Sequence, residues 1–209
     1  MNKLILLRHG QSIWNYENRF TGCKDVPLTA KGVNEAIKAG DIMAKNKIFI
    51  DIVFTSVLQR AYETANHAVK RMNLQHLWNN NNLIMTKHES LNERDYGDLV
   101  GLNKQETADK FGEEQVHLWR RSFETSPPNG ESLKDVLIRV EPFFRKNIAS
   151  ELTKNKNVLI AAHGNSLRAI LIHLGLYNPE EISKIELPTG APFVINYENS
   201  TIIDFQYIN

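Results

Sequence analysis

"LILLRHGQSIWN", from Leu4 to Asn15, opens on four apolar residues and then turns abruptly to Arg-His-Gly. An unbroken apolar run is the pattern of a strand buried on both faces, the mark of a parallel sheet covered by helices. An arginine and a histidine at the mouth of such a strand are unfavourable unless something pairs with them. The figure returns in "VLIAAHGNS" (Val158–Ser166), where a second apolar run stops at His-Gly. One histidine at a strand end is more often a hydrogen-bonded structural residue than a catalyst. Two strand ends with the same pair demand a common purpose.

Working outward, apolar strands alternate with amphipathic helices. Strands are expected at Lys3–Leu7, Phe49–Ser56, Leu83–Thr86, Val158–Ala162, Phe193–Tyr197 and Ile202–Tyr207, the last at an edge. Thr29–Asn46 reads as a helix with Val33, Ala36, Ile37, Gly40 and Met43 at helical spacing, and Val57–Met72 as another. Asn79–Asn82 is expected to be a surface loop. Asn103–Arg121 divides into two helices near Gly112, and Ser132-x-x-Asp135 is a capping-box signal for a helix to about Leu152 that Pro142 kinks. Ser166–Leu174 is a helix closed by Gly175, and Asn178-Pro179 opens a short one. The expected architecture is a three-layer α/β/α sandwich with a mainly parallel central sheet, built as one domain over residues 1–209.

Composition agrees with a soluble globular chain: 42% of the 209 residues are hydrophobic and 23% charged, which excludes disordered and fibrous classes. A net charge of +1 provides no global field toward nucleic acid or a membrane surface. The single cysteine, Cys23, forms no internal disulfide and suits a reducing cytoplasm. "LILL" is too short for a signal peptide, and no apolar stretch approaches the ~18 residues that read as a membrane span. A cytoplasmic location is expected.

In parallel sheets ligands sit outside the carboxyl ends of the strands. There the sequence places Arg8, His9 and Gly10, then Thr55, Ser56 and Arg60, then the polar stretch "HESLNERDYGDLVGLNK" (His88–Lys104), then His163, Gly164 and Asn165. Zinc fits poorly: there is no HExxH or CxxC, and Arg8 beside His9 repels a dication. Neither GxxxxGK[ST] nor GxGxxG occurs, so a nucleotide cradle has no support. Phosphoryl transfer to histidine fits. Neighbouring cations disfavour the imidazolium and keep the ring nucleophilic, while arginine forks grip phosphoryl oxygens.

"LLRHGQSIWN", "NRFTG", "DVPLTAKG", "FTSVLQRA", "LNERDYGDLVGLNK", "WRR" and "AAHGNSLRA" occur in this order and together resemble cofactor-dependent phosphoglycerate mutases of the histidine phosphatase superfamily. RHG alone is common to the superfamily, phosphatases included; the later motifs are more specific to the mutases. The resemblance implies that His9 is the phosphorylated nucleophile and Glu93 the proton donor and acceptor. It implies that Arg8, Arg60 and His163 hold the phosphoryl group in transfer. Ser12, Asn15, Thr21, Gly22, Tyr96, Lys104, Arg120, Arg121, Gly164 and Asn165 are implied to line a phosphoglycerate pocket.

The implied activity is interconversion of 3-phosphoglycerate and 2-phosphoglycerate, primed by 2,3-bisphosphoglycerate, with no metal. The implied partners are small phosphoglycerates, with neither nucleic acid nor membrane. Two alternatives stay open: a histidine-type phosphatase of small phosphorylated metabolites, and a non-catalytic phospho-ligand-binding module. Gln11 stands where many relatives have glutamate, and Cys23 where an aromatic is common. The stretch between Arg121 and Glu131 is shorter than in the longer mutases, which leaves a homodimer open. Cys23 directly follows Thr21-Gly22, so an adduct on its thiol is expected to crowd the pocket.

Overall fold

Residues 1–209 are described by a computed structural model in which β1 (Asn2–Arg8) and β6 (Val158–Ala162) run parallel, side by side. Leu4 lies opposite Val158 and Arg8 opposite Ala162. Side chains alternate across a strand, so each of these strands presents two apolar faces. Leu4, Leu6, Val158 and Ile160 pack under α6 (Leu133–Phe143) and α8 (Gly164–His173). Ile5, Leu7, Leu159 and Ala161 pack under α2 (Ala30–Lys45) and α3 (Gln59–Lys70). Burial on both faces is what an unbroken apolar run requires, and it produces the three layers expected.

β2 (Ile52–Thr55) flanks β6, and β5 (Thr86–Lys87) closes that edge, both parallel to their neighbours. On the other side β7 (Pro192–Glu198) and β8 (Thr201–Tyr207) join as antiparallel strands, with β8 at the edge. The helices α4 (Lys104–Phe111) and α5 (Glu113–Arg121) meet at Gly112, whose φ of 90° lies in the region glycine tolerates best. Ser132 and Asp135 form the capping box that opens α6, and a π-helical stretch at Phe144–Ile148 follows Pro142 before α7 (Ala149–Thr153). Asn178 caps α9 (Pro179–Ile182).

Four local expectations need correction. The strand expected over Phe49–Ser56 is only β2, because Phe49 is half exposed and stacks on His76 while the Asp51 N–H bonds to the Asn157 carbonyl outside the ladder. Asn79–Asn82 is not a loop but the turn of a hairpin between β3 (Trp78–Asn79) and β4 (Asn82–Leu83). Asn80 and Asn81 both adopt positive φ, as the tight two-residue hairpin turn requires. The strand expected at Leu83–Thr86 is therefore divided between β4 and β5. The buried face of α2 is Gly32, Ala36, Ala39, Gly40 and Met43, leaving Val33 and Ile37 at its margin. A Cβ on Gly40 would lie 2.1 Å from the Ala68 carbonyl oxygen, so small residues, not large ones, seat α2 on α3.

The same tolerance governs the turn after β1. A Cβ on Gly10 would lie 2.1 Å from the Gly32 carbonyl oxygen, and one on Gly32 equally close to the Gln11 carbonyl oxygen. Gly10 is needed for this backbone approach and not for a left-handed turn. Gly10→Ala should lower stability by about 1–3 kcal/mol, the usual range for overpacking. A urea midpoint equal to that of the unaltered protein would show that the two segments separate freely.

Candidate active site

The β1–β6 register carries past the last paired residues. The His9 N–H donates to the Ala162 carbonyl at 3.0 Å, and the rings of His9 and His163 stand edge to face with centroids 4.9 Å apart. Both are buried, His9 at 2% exposure and His163 at 0%. His9 Nδ1 lies 2.7 Å from the Gly10 carbonyl oxygen. A carbonyl only accepts, so Nδ1 carries the proton and the lone pair belongs to Nε2. Ser56, at the end of β2, holds His163 Nε2 at 2.7 Å. The Ser56 hydroxyl accepts from the Leu58 N–H and has no other partner for its own proton, so it donates to Nε2 and the His163 proton sits on Nδ1, buried with no protein partner.

Two arginines frame the histidines. Arg8 Nη1 donates to the Leu187 carbonyl at 2.7 Å. Arg60, in the first turn of α3 and 1% exposed, donates to the Lys24 and Gly22 carbonyls at 2.8 and 2.9 Å. In both, Nε is buried without a protein partner. Neither guanidinium is neutralised by a carboxylate within salt-bridge distance. Buried, uncompensated donors of one sign suit a multiply charged anion such as a phosphoryl group.

This environment sets the protonation states. Burial first, then His163, Arg60 and Arg8, hold the His9 ring well below the ordinary histidine range, despite its bond to Gly10. His163 is lowered by burial, then Arg60, Arg8 and Arg139. Both rings are neutral at neutral pH. Glu93 behaves oppositely. Burial pushes its carboxyl up, but the Arg94 N–H, Arg60, Arg8 and the Asn165 side chain together hold it below the usual carboxylate range. Its Oε1 accepts from Arg94 N at 2.9 Å, Asn165 N at 3.1 Å and Asn165 Nδ2 at 3.0 Å. A neutral imidazole and an ionised carboxylate thus occupy one site.

A cleft opens above them. Among the residues singled out from sequence, Arg8, Asn15, Thr21, Glu93, Tyr96, Lys104, Arg120, Arg121, Gly164 and Asn165 line it. His9, Arg60 and His163 are buried and form none of its open wall. Ser12 does not reach the cleft: it is fully buried as the N-cap of α1 (Ile13–Tyr16), accepting from Asn15 N while its own N–H bonds the Asn15 side chain. Gly22 contributes through its carbonyl on Arg60. Gly164 and Asn165 are not loop residues but the first turn of α8, which begins two residues before the expected Ser166. Cys23 faces elsewhere: its thiol donates to the Glu93 carbonyl at 3.2 Å and lines a separate hollow with Glu89, Asp95 and Glu131. An adduct there would not enter the cleft, and desolvation and Asp95 push the thiol up to about 11.

Two cations of the cleft were missed. Arg168 follows Gly164 by one helical turn on α8, a spacing that could have placed it; burial, with Arg121 and Arg8, pushes it down to about 10, still charged at neutral pH. Arg19 stands four residues after Asn15 and binds the Gly101 carbonyl at 2.7 Å. Arg94 carried no signal at all. It is fully buried, donating to the Tyr96 hydroxyl and the Arg120 carbonyl at 3.1 and 2.9 Å. No group of three or more His, Cys, Asp or Glu side chains is arranged to hold a metal ion. No helix is long and apolar enough to cross a membrane.

The model of the histidine phosphatase superfamily, branch 1, matches residues 4–204. The chain belongs to that superfamily. It is 47% identical over 205 residues to a protein of Bartonella quintana named 2,3-bisphosphoglycerate-dependent phosphoglycerate mutase, covering 98% of this chain and 97% of the relative. A Chlamydia pneumoniae protein of the same name is 44% identical, with 97% and 96% covered. Among solved structures, a mycobacterial glucosyl-3-phosphoglycerate phosphatase in complex with VO3 superposes with a TM-score of 0.78 at 26% identity, covering 99% of this chain and 97% of its own. The fold is thus common to proteins named as mutases and as phosphatases.

The neutral histidines make stability depend on pH. Unfolded, each ring takes up a proton below about pH 6.5; folded, it resists. Stability is therefore complete above that range and declines as pH falls, by up to about 1.4 kcal/mol per pH unit for each ring. Between about pH 7.5 and about pH 5.5, His163→Asn should lose about 1.4 kcal/mol less than the unaltered protein in urea unfolding. Equal losses would show that His163 protonates in place.

Proposed function

We propose that this chain interconverts 3-phosphoglycerate and 2-phosphoglycerate, with His9 carrying the phosphoryl group and 2,3-bisphosphoglycerate as primer. The observation that carries the reading is a neutral imidazole with Nε2 free, beside an ionised Glu93, in a cleft lined by Arg8, Arg19, Lys104, Arg120, Arg121 and Arg168. The names of the near full-length relatives support the mutase over other members of the superfamily.

Glu93 takes the proton from the acceptor hydroxyl as that oxygen attacks phosphorus and the N–P bond to His9 breaks. His9 leaves as the neutral ring the site favours. In the second half-reaction His9 Nε2 attacks the other phosphoryl group, and Glu93 returns its proton to the departing oxygen. Arg8, Arg60 and His163 Nδ1 stabilise the phosphoryl oxygens without metal. Lys104, Arg120 and Arg121 grip the carboxylate end and keep water from His9.

Purified protein should convert 3-phosphoglycerate only slowly until bisphosphoglycerate is added. Once primed, it should hold an acid-labile, alkali-stable phosphate that His9→Ala lacks. Label persisting in His9→Ala would reject the assignment. A phosphatase is the second reading, favoured by the name of the solved mycobacterial neighbour. A preference of about ten-thousandfold for sugar acid over water corresponds to roughly 5.5 kcal/mol of barrier, within reach of two or three charge-assisted contacts. Arg120→Ala should therefore lower mutase activity at least about tenfold more than hydrolysis of bisphosphoglycerate. Equal losses in one preparation would move the selectivity elsewhere, and an unaltered protein that mainly hydrolyses would favour the phosphatase.

A further inference from the structure

Glu93 is held at two ends. Its carboxylate faces the cleft on Asn165 and the Arg94 N–H; its backbone carbonyl turns away, to a hollow lined by Cys23, Glu89, Ser90, Asn92, Asp95, Glu131 and Arg139. Arg139, on α6, aims its whole guanidinium at that far side. Nη1 donates to the Ser90 carbonyl at 2.8 Å, and Nη2 lies 3.2 Å from both the Asn92 and the Glu93 carbonyl oxygens. Nε and Nη2 also form a bidentate pair with Glu131, at 2.8 and 2.9 Å. Glu131 in turn accepts from Asp95 N at 2.9 Å, and its own N–H donates to the Asp95 carbonyl at 2.9 Å. The backbone on either side of Glu93 is thus fastened to α6 by one planar fork and its counter-ion.

We propose that Arg139, fixed by Glu131, is the positioning residue that sets Glu93 at proton-transfer distance from the substrate. The inference rests on Glu93 being the acid–base group. Neither Arg139 nor Glu131 lines the cleft, so neither binds phosphoglycerate. An irregular segment without strand or helix across Asn92–Asp95 has no ladder to fix it. Its carbonyls need outside donors, and a guanidinium with five N–H groups in one plane serves those of Asn92 and Glu93 together with that of Ser90 just before them. Lysine, a point charge on a flexible stem, does not reproduce that geometry. Proton transfer requires a separation of about 2.6–3.2 Å, and a misplacement of about 1 Å in a catalytic group costs on the order of 100-fold.

The groups around the Glu93 carboxyl are Arg8 from β1, Arg60 from α3, Lys104 from α4, Arg94 and Tyr96 on its own segment, and Asn165 and Arg168 from α8; Cys23 touches its carbonyl. A segment that slips from Arg139 carries the Arg94 N–H with it but loses the Asn165 bonds that lower this carboxyl, and it retains the burial that raises it. Arg139→Met should therefore lower kcat about 10- to 100-fold, keep KM for 3-phosphoglycerate within about threefold, and move the acidic limb of the kcat profile to higher pH. Glu131→Gln should move both in the same direction by less, and it decides the matter if Arg139→Met does not fold. Glu93→Gln, measured alongside, should lower kcat by about 100-fold or more. If it does, while Arg139→Met and Glu131→Gln keep the original limb and kcat, the positioning role is overturned and the role of Glu93 stands. If Glu93→Gln keeps kcat, Glu93 is not the acid–base group and the role of Arg139 falls with it.

Discussion

The parallel pairing of β1 with β6 is the constraint on which the rest depends. With Arg8 opposite Ala162, the next residue of each strand is a histidine, and the two rings arrive 4.9 Å apart. A slip of one residue would exchange the two apolar faces of β1 between the helix layers and separate the rings. Ala162 accepts the His9 N–H, so the hydrogen-bond ladder reaches into the site itself. The Gly10–Gly32 approach then turns the chain sharply enough to leave His9 beneath the cleft instead of in solvent.

The charge distribution around those rings sets their protonation state. Buried cations destabilise a fold unless carbonyls, carboxylates or ligands meet them. Arg8 and Arg60 are met largely by carbonyls of Leu187, Lys24 and Gly22, and the same bonds anchor the segments that border the cleft. Carbonyls satisfy donors without cancelling charge, so the positive field survives to keep His9 and His163 neutral and to attract anions. Glu93 stays ionised in that field because Arg94 N and Asn165 bond it directly. Arg139 is neutralised by Glu131, away from the cleft, where its work is to hold backbone.

Much of this was legible in the chain. The unbroken apolar runs identified doubly covered strands, and their alternation with amphipathic helices identified the layers. The repeated His-Gly marked the strand ends, because a polar pair so placed is explained only by a shared site. Less was legible where a short polar segment suits more than one local structure, or where a residue's neighbour comes from far along the chain. Ser12 looked like a pocket residue but caps its own helix, and the asparagine run looked like a loop but is a hairpin turn. Cys23 adjoins the cleft in sequence and faces away from it in space.

By itself, then, the sequence determined which segments form the central strands and their covering helices and which chemistry gathers after Leu7 and Ala162, since periodicity and local caps act over a few residues. The tertiary structure decided register, tautomer and protonation. Those depend on groups such as Ser56, Arg60, Ala162 and Asn165 that meet only when the sheet closes. It also decided how each arginine is held, because a guanidinium is bound by whatever carbonyl or carboxylate folding brings within 3 Å or so, and spacing along the chain does not encode partners as distant as Leu187 for Arg8 or Gly22 for Arg60.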